Sequence, residues 1–456
     1  MTLWGGRFGD DTDASVWAFT ASRTDRRLLG VDVAGSIAHV TALGSAGILV
    51  ADEASVLVSG LESIATEVED GEFEFNETDE DVHTAVERRL GEVVGPIAGK
   101  LRTGRSRNDQ IALDLRLYLL GSVGLIERGI TGLVESLLAA ATEAGEKVVA
   151  SYTHLQHAQA VPLAHHLLAH AWALIRDLER FGDLRRRLAV SPLGAGAGGG
   201  SRLRLDTAAS AAHLHLPAVF TNSLDAVAAR DQATEYAWCC TQTFVDLSQL
   251  GEEIVLWSSA EFGWIEVSDR FATGSSALPQ KKNPDPAELT RGKAGSAIGY
   301  LTGLLSVMKG LPLSYNRDLQ EDKEHLFPLG DDLERALAVL SGLITEASFD
   351  PPGPSADVTA LDLAEVLVER GVPFREAHEA IGLLVGARHD IGLDLEGIEF
   401  EDLSGVHTAF EAGDERLADP VESVRARRSP GGGSFDSVRD QIEALRAKLA
   451  VPSSED

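Results

Sequence analysis

The sequence predicts an all-α protein, and three observations carry that prediction. Several proline-poor stretches of more than about 25 residues place apolar side chains three or four residues apart, as helices do. No strand–glycine loop–helix unit interrupts them. Among the 456 residues, 44% are hydrophobic and 24% are charged, which is ordinary for a globular chain with a large buried core.

Five long helices are predicted in the middle of the chain. They span residues 109–150, 162–190, 225–262, 286–309 and 322–347. Prolines, glycines and polar turns mark their ends. A helix of about 40 residues is about 60 Å long, and one chain of this size cannot cover five such rods on all sides. We therefore expect an oligomer.

Shorter helices flank this central part. They are predicted at residues 33–48, 51–68, 79–91, 356–370, 374–389 and 435–449. A stretch rich in proline and glycine at residues 348–355 marks a boundary between domains. We predict three domains: an N-terminal helical domain (1–105), a central bundle of long helices (106–350) and a C-terminal helical domain (351–456).

The charge is strongly negative, and it is unevenly distributed. The chain has 71 acidic and 40 basic residues, a net charge of −31. Such a field repels polyphosphate, which argues against nucleic-acid binding, and it is typical of proteins from a high-salt cytoplasm. Five of the eight lysines lie between residues 281 and 323, and residues 269–323 carry a net charge of +2. This basic segment suits the binding of an anion such as a carboxylate.

The sequence predicts a cytoplasmic protein. No run of about 18 apolar residues is present, so we expect no membrane-spanning helix. The N-terminus lacks the basic and apolar regions of a secretory signal. The two cysteines, Cys239 and Cys240, are adjacent, so they cannot join distant segments and they fit no zinc-ligand spacing. A reducing compartment is the natural setting.

Three polar segments are the main candidates for chemistry. Residues 273–285 form a loop rich in glycine and serine, with cationic and amide donors behind it. Residues 99–110 place four basic side chains before a long helix, whose N-terminus favours anions, although a basic turn paired with acidic neighbours is the ordinary alternative. Residues 151–157 carry His154 and His157, and histidine is the usual proton shuttle near neutral pH.

Two further segments are weaker candidates. His83 and Glu87 are four residues apart on one predicted helix, a spacing that more often gives a solvated pair. Residues 313–323 are a dense polar run that a solvated loop explains equally well. The glycine run at residues 194–200 lacks the Lys-Ser/Thr ending and the preceding strand of a phosphate loop, so a tight turn is expected there.

The remaining histidines of interest are interpreted as structural. His165, His166 and His170 lie on one predicted helix, and the last two are one turn apart. A zinc site needs further ligands, but no carboxylate motif accompanies this pair in the sequence. We therefore expect no metal site.

The segments together resemble the fumarase/aspartase superfamily. Its signature loop is matched by Gly274-Ser-Ser-Ala-Leu-Pro-Gln-Lys-Lys-Asn-Pro284, with Leu278 where methionine is usual, a volume-conserving change. Within the superfamily the chain is most similar to the argininosuccinate lyase family. The matching motifs follow the family's order: Leu3-Trp-Gly-Gly-Arg-Phe8, Asp81-Val-His-Thr-Ala-Val-Glu87, Thr103-Gly-Arg-Ser-Arg-Asn-Asp-Gln110, Tyr152-Thr-His-Leu-Gln156, Pro279-Gln-Lys-Lys-Asn-Pro-Asp285, Tyr315-Asn-Arg-Asp-Leu-Gln-Glu-Asp-Lys323 and Gly371-Val-Pro-Phe-Arg-Glu-Ala-His378.

This resemblance implies an all-helical, three-domain subunit. Four subunits would pool their long helices in one central bundle, and each active site would draw residues from three chains. The implied reaction is the reversible cleavage of argininosuccinate to arginine and fumarate, the last step of arginine biosynthesis. The elimination would pass through a carbanion, without a metal or an organic cofactor.

The resemblance also assigns roles to individual residues. Ser275 would be the base, Lys281 and Asn283 would stabilise the carbanion, and His154, held by Glu288, would be the acid. Because a serine is a poor base, its alkoxide needs stabilisation by nearby groups. The implied substrate-binding residues are Asp25, His83, Thr84, Arg107, Asn108, Thr153, Gln156, Ser276, Tyr315, Gln320 and Lys323.

One motif departs from the family pattern, which usually has a serine four residues before the aspartate of its Asp-x-Arg element. Here Ser22 lies three residues before Asp25, and Ala21 lies four before it. Either the turn is one residue shorter or the serine contact is lost.

Three other functions are compatible with parts of the sequence. Another lyase of the superfamily, such as an adenylosuccinate lyase, a fumarase or an aspartase, would share the loop, but residues 103–110 and 315–323 favour argininosuccinate. A catalytically silent, crystallin-like relative would not need all five proposed catalytic residues, which are present. An acidic helical scaffold for protein partners would not explain the basic segment.

Overall fold

The computed structural model describes residues 12–450, so the motif at residues 3–8 lies outside the described part. That part contains sixteen α-helices. They are α1 (Ala14–Thr20), α2 (Leu29–Ser45), α3 (Ala51–Glu69), α4 (Val82–Val94), α5 (Arg107–Ala144), α6 (Leu163–Leu188), α7 (Thr207–His213), α8 (Ser223–Ala228), α9 (Asp231–Trp257), α10 (Asp285–Met308), α11 (Asp322–Glu346), α12 (Ala360–Glu369), α13 (Phe374–Asp390), α14 (Phe400–Val406), α15 (Pro420–Ala426) and α16 (Phe435–Ala450).

Eight short strands accompany the helices within the same residues. They are β1 (Val148–Thr153), β2 (Gln156–Pro162), β3 (Val190–Ser191), β4 (Ala218–Val219), β5 (Ile265–Glu266), β6 (Thr273–Gly274), β7 (Lys282–Asn283) and β8 (Ser348–Phe349). They form four two-stranded sheets, of which β3–β4 is parallel and β1–β2, β5–β8 and β6–β7 are antiparallel. The strands are few and short, so the predicted all-α class is confirmed.

Two predicted helices were too long. The first ends at Ala144 because Gly145 takes a left-handed backbone (φ +58°), and the antiparallel hairpin β1–β2 follows instead of further helix. The helix predicted over residues 225–262 is broken between α8 and α9. Ala229 is extended there (φ −57°, ψ 124°), and the next residue, Arg230, buries its guanidinium in an ion pair with Asp322 at 2.9 Å. A buried charge with a fixed partner outweighs local helix propensity.

We expected no helix that could span a membrane. When only length and composition are considered, that expectation is wrong, because two stretches are long and apolar enough. Two stretches, Thr24–Ser45 and α5, have a mean hydropathy of 1.3 over an 18-residue window, because one or two charges in a window do not lower the average enough. In Thr24–Ser45, 61% of that window is buried within the structure, and in α5 the share is 33%. Core helices of soluble proteins can have the same length and composition, so these two stretches do not by themselves indicate a membrane protein.

The chain divides into two compact units. Within the described residues, unit 1 comprises residues 12–126, 180–241 and 296–332, and unit 2 comprises residues 127–179, 242–295 and 333–450. The three-domain division remains a prediction.

In unit 1, α2, α3 and α4 pack on one another around Leu57, Leu61 and Leu90, which are fully buried. Gly60 of α3 allows this close approach, because a Cβ atom there would lie 2.5 Å from a methyl group of Val94. The glycine run at residues 194–200 is a tight turn, as predicted. Its Gly194 and Gly196 have positive φ angles and donate their N–H groups to Asp109 at 3.1 and 2.8 Å.

In unit 2, the C-terminal helices α12 and α13 enclose an apolar cluster around Leu363, Leu367 and Leu384. A second cluster anchors the hairpin β1–β2 on the C-terminal segment, where Val148 and Ala160 pack with Phe435. The hairpin carries Thr153, His154 and Gln156, so this packing fixes the base of a candidate site.

Candidate active site

The proposed site residues fall into two groups, one in each unit. The group in unit 1 begins at the N-terminus of α4. Asp81 caps this helix by accepting the backbone N–H of Thr84 at 2.8 Å and its hydroxyl at 2.7 Å. Arg107, at the start of α5, donates to the Thr84 hydroxyl at 2.5 Å and to Asp81 at 3.2 Å. The capped helix end therefore holds one hydroxyl and one guanidinium together.

The rest of the basic segment around Arg107 is mostly paired with acidic side chains. Arg102 donates to Glu87 at 2.5 Å, and Lys100 donates to Glu53. These pairs match the ordinary alternative considered for this segment. Asn108, next to Arg107, is half-buried. Thr84 also lines a cavity of about 1030 Å³ bounded by Trp17, residues 77–80 and α4.

His83 lies behind Thr84 and is buried. Its Nδ1 is 2.8 Å from Asp32, and Asp114 is 3.6 Å away. Burial alone would lower the pKa of His83, but the charge and hydrogen bond of Asp32 outweigh it and raise this pKa. The solvated pair with Glu87 does not form, since Glu87 binds Arg102 instead. In this chain His83 supports the start of α4 from inside.

A second part of the group in unit 1 surrounds Lys323 at the start of α11. Its side chain is only 3% exposed, and Nζ lies 2.8 Å from Asp322 and 3.5 Å from Asp25. Burial would lower the pKa of Lys323, but the two carboxylates raise it. Tyr315 and Gln320 precede it and are half-buried, and burial raises the pKa of the Tyr315 phenol.

The departure in the N-terminal motif lies beside this cluster. Asp25 is 6% exposed, and the backbone N–H of Ser22 donates to the carbonyl of Glu80 at 2.8 Å. The Glu80 carboxylate in turn lies 3.5 Å from Arg107 and 3.4 Å from Arg317. Glu80 thus connects the N-terminal turn to the α4 and α5 ends.

The group in unit 2 begins at the hairpin β1–β2. Thr153 and Gln156 pair across its end, so that His154 and Leu155 form a two-residue turn. Both turn residues have left-handed backbones, with φ of +55° and +57°, as a type I′ turn requires. Glycine and asparagine are the residues that adopt this conformation most easily, so a His-Leu pair is strained there. The turn places the His154 ring in solvent.

The serine loop is also a hairpin, closed at its base by the sheet β6–β7. Thr273 pairs with Asn283, and Gly274 pairs with Lys282. The Thr273 hydroxyl binds the Asp285 carboxylate, and Lys282 reaches Asp269 at 2.6 Å. The segment between the strands, residues 275–281, is largely exposed.

Ser275 has an unusual hydrogen-bond pattern within that loop. Its Oγ accepts the backbone N–H groups of Ala277 at 3.2 Å and Leu278 at 3.1 Å. Two N–H donors aimed at one hydroxyl oxygen favour its negatively charged form. Ser276 and Lys281 are exposed, and Asn283 is half-buried.

Glu288 lies in the first turn of α10 and is exposed. Within residues 12–450, the proposed pair of His154 and Glu288 is not hydrogen-bonded. The single chain therefore brings together the members of the Thr84 and Lys323 clusters. In unit 2 it places Ser275, Lys281 and Asn283 in one hairpin loop and leaves the pair of His154 and Glu288 unformed.

Comparisons with known proteins identify the family. A lyase family model matches residues 6–299, and a model of the argininosuccinate lyase C-terminal region matches residues 357–425. The argininosuccinate lyase of Roseiflexus sp. strain RS-1 is 47% identical over 449 residues, covering 97% of this chain and 99% of its own. That of Acidothermus cellulolyticus is 48% identical over 461 residues, covering 98% and 94%.

The chain belongs to the argininosuccinate lyase family.

Solved structures agree with this placement. An EDDS lyase in complex with formate has a TM-score of 0.80 and 27% identity, and the match covers 95% of this chain and 88% of that one. A class II fumarase from Schistosoma mansoni has a TM-score of 0.73 at 15% identity, over 91% and 95% of the two chains, and shows the fold alone. The family, the fold class and the lyase class predicted from the sequence are confirmed.

Sequence reasoning missed the residues that hold the candidate site residues of unit 1 in place. Asp81, Glu80 and Asp322 position Thr84, Arg107 and Lys323, respectively, by direct contacts. All three stand inside or next to the family motifs, and Asp81 and Asp322 lie within three positions of the residues that they position. The contacts of Arg107 could not be read from the sequence, because this residue is 27 positions from Glu80 and 23 positions from Thr84.

Proposed function

We propose that this chain cleaves argininosuccinate to arginine and fumarate, the activity that its family membership supports. The single observation that carries the mechanism is the pair of backbone N–H groups donated to Ser275 Oγ. A serine hydroxyl removes a carbon-bound proton only as an alkoxide, and those donors lower the free energy of that alkoxide.

The elimination proceeds in two proton transfers. Ser275 Oγ takes the proton from the carbon beside a substrate carboxylate, and the electron pair passes into that carboxylate. Lys281 and Asn283 stabilise the extra negative charge that forms there. The carbon–nitrogen bond then breaks, a carbon–carbon double bond forms, and His154, paired with Glu288, protonates the departing arginine nitrogen. These roles rest on the matched motifs, and the exposure of His154 leaves its ring free to reach substrate.

The group in unit 1 binds the substrate. Arg107 and Lys323 supply positive charge to carboxylates, and Thr84, Asn108, Tyr315 and Gln320 supply neutral hydrogen bonds. Asp25 sets the position of Lys323, and His83 supports Thr84 from within. In unit 2, Thr153, Gln156 and Ser276 complete the contacts. Since Arg107 and Lys323 are already held by carboxylates, they need little reorganisation when substrate arrives.

We further propose a homotetramer whose active sites each take residues from three subunits. The support lies on α10, which is exposed over much of its length. A Cβ atom added at Gly292, Gly295 or Gly299 would meet nothing within 4 Å outside its own stretch of helix, so packing within this chain does not require glycine there. Glycine also weakens a helix by about 1 kcal/mol per residue relative to alanine. Ile298 and Leu305 on the same helix are each 52% exposed. A second copy packed against α10 would bury these side chains and use the space above the glycines.

The proposed location is the cytoplasm, and the proposed adaptation is to high salt. Cys239 and Cys240 are buried and are not joined in a disulfide within the described residues, as in a reducing compartment. A net charge of −31 repels itself at low ionic strength, while the Debye length falls from about 10 Å at 0.1 M to about 3 Å at 1 M salt.

Light scattering in molar KCl should give a mass about four times 48.5 kDa, and dilute buffer should reduce activity or dissociate the assembly. Replacement of Ile298 by Glu should lower the mass in both buffers, because it places a charge in the proposed interface. A stable and active monomer would contradict the tetramer. A thermal midpoint that does not change between dilute buffer and molar KCl would contradict salt adaptation alone.

One assay tests the reaction itself. Fumarate absorbance is followed after argininosuccinate is added, with adenylosuccinate, malate and aspartate as controls. We expect turnover of argininosuccinate only. Turnover of another substrate would assign the chain to a different lyase activity, and the absence of all turnover in a folded tetramer would favour the catalytically silent alternative.

A further inference from the structure

Two histidines and one glutamate converge at a point that the elimination does not use. His166 and His170 lie one turn apart on α6, and Glu253 lies on α9; all three belong to unit 2. The Nε2 atom of His166 is 2.8 Å from Glu253 Oε2, and the Nε2 atom of His170 is 2.6 Å from the same oxygen. One carboxylate oxygen thus faces two imidazole nitrogens.

The surroundings of this cluster restrict both histidine rings. The side chains of His166, His170 and Glu253 are 21%, 12% and 30% exposed, so the cluster is partly desolvated but still open to solvent. Trp257 packs edge-on against the His166 ring, with centroids 5.0 Å apart. The adjacent polar groups have other partners, since Glu252 binds Arg291 and His165 contacts Gln441 at 3.1 Å.

We propose that His166, His170 and Glu253 form a binding site for one divalent transition-metal ion of the zinc type. Two histidines spaced by four on a helix, with a carboxylate from a second helix, are a donor set that zinc binds in proteins. Imidazole nitrogen favours Zn²⁺, Co²⁺, Ni²⁺ and Cu²⁺, whereas Mg²⁺ and Ca²⁺ prefer oxygen ligands. Water would complete the coordination from the open side.

The observed geometry needs only a small adjustment to hold an ion. The two Nε2 atoms lie 2.8 and 2.6 Å from Glu253 Oε2, and all three donor atoms lie within 4.8 Å of one another. Tetrahedral bonds of about 2.0–2.2 Å place ligand atoms about 3.4 Å apart, so the side chains would move by about 1 Å to admit the ion. In the present arrangement Glu253 accepts the Nε2–H groups of both rings. The ion takes the place of those two hydrogens, and each neutral ring then carries its hydrogen on Nδ1.

The bound ion would link α6 to α9 within unit 2. Because it binds the folded chain and not the unfolded one, it would raise the thermal midpoint as its concentration rises. This stabilisation does not depend on the proposed elimination.

The test uses the untagged, full-length protein after treatment with a chelator. Co²⁺ is titrated while its visible d–d absorption is measured, and Zn²⁺ is then added to displace it. We expect one ion per subunit. The variants His170→Gln and Glu253→Gln should each bind at least about tenfold more weakly. His165→Gln is the matched control on the same helix, and it should bind as the unaltered protein does.

Each outcome decides the proposal. Failure of the unaltered protein to bind Co²⁺, or equal binding by His170→Gln, Glu253→Gln and the unaltered protein, would overturn it. If the variants fold poorly, the unaltered protein alone is sufficient, through its thermal midpoint in Zn²⁺ and in Mg²⁺ at equal concentration. A rise with Zn²⁺ only supports the site, and an equal rise or no rise overturns it. Turnover is not measured, so these results are independent of the proposed reaction.

Discussion

The two groups of site residues differ in how the single chain holds them. In unit 1, Lys323 is nearly inaccessible and fixed by two carboxylates, and Arg107 is tied to Asp81 and Thr84. In unit 2, His154 lies at an exposed hairpin tip and Ser275 lies in an exposed loop. The proposed binding residues are thus preorganised within one chain. The proposed catalytic residues remain partly or fully exposed to solvent in the single chain.

This difference indicates that the two groups contribute to the reaction in different ways. Buried, paired charges set geometry before the substrate arrives, because moving them would leave a charge unpartnered in the interior. Exposed groups gain catalytic strength only when closure or a neighbouring subunit removes water from around them. Substitutions of the proposed catalytic residues in unit 2 should therefore reduce the rate and leave stability unchanged, while substitutions of the buried charged site residues in unit 1 should reduce both.

The largest effect is expected from Ser275→Ala in unit 2. Loss of a general base lowers turnover by about 10²- to 10⁴-fold, while substrate still binds and the thermal midpoint stays unchanged. His154→Asn should also lower turnover, but it should retain deuterium exchange at the substrate carbon, because the first proton transfer precedes the step it serves. The measurement is deuterium uptake into argininosuccinate by each variant.

The same comparison also shows how the assignment could fail. If Ser275→Ala exchanges the proton and His154→Asn does not, the base and the acid are reversed. Lys282→Met is the matched control in the loop, since Lys282 binds Asp269 and has no role in the proposed chemistry. It should keep near-normal turnover, in contrast to Lys281→Met.

The next effect is expected from Asp322→Asn in unit 1. This change leaves the buried cations Lys323 and Arg230 without their shared carboxylate, and breaking a buried ion pair costs about 3–5 kcal/mol of unfolding free energy. Denaturant unfolding of the variant measures it. Asp269→Asn is the control, because it removes a carboxylate from an exposed pair with Lys282, and it should leave the unfolding midpoint unchanged. Equal losses in both variants would contradict the contrast between the units.

A smaller effect is expected from two buried histidines of unit 1, which respond to pH in opposite directions. Burial lowers the pKa of His39 to about 3, so the folded chain resists protonation and loses stability as pH falls below 6.5. The pKa of His83 is raised above 6.5, because Asp32 outweighs the opposing effect of burial. The stability that His83 contributes is therefore complete below pH 6.5 and is lost as pH rises through its folded pKa.

Thermal midpoints measured from pH 5 to pH 8 check these signs. His39→Gln keeps a donor for the carbonyl of Thr103, and it should reduce the loss between pH 6.5 and pH 5, which amounts to about 2 kcal/mol at most. His83→Gln should instead reduce the loss of stability above pH 6.5. If both variants change the thermal midpoint only below pH 6.5, or both only above it, the direction of one of the two pKa shifts is incorrect.

Local sequence signals predicted the helices well and predicted their interruptions poorly. Apolar periodicity located α2, α3, α10 and α11 to within a few residues, and prolines near their ends helped to place α10 and α11. The hairpin β1–β2 was missed because its turn, His154-Leu155, contains neither glycine nor asparagine, the usual marks of a type I′ turn. The break before α9 was missed because its cause, Asp322, lies 92 positions beyond Arg230.

Contacts between residues distant in the sequence were also missed at the candidate sites. Motif matching gathered the candidate catalytic residues because their types and spacing are specific. It could not show that Ser275 Oγ receives two N–H groups, which depends on the backbone path of the loop. It also rejected a metal site for want of a carboxylate, since Glu253 stands 83 positions after His170. Contacts between distant segments are set by tertiary packing, which one sequence does not display.

The sheet β6–β7 has a consequence for the thermodynamics of substrate capture. Its two residue pairs join the ends of the serine loop, so residues 275–281 are the segment left to become ordered around a ligand. Fixing the backbone of one residue costs about 1–2 kcal/mol of conformational entropy at room temperature. A loop without this stem would have to order residues 273, 274, 282 and 283 as well. The stem therefore shifts part of the entropic cost of closure from substrate binding to folding.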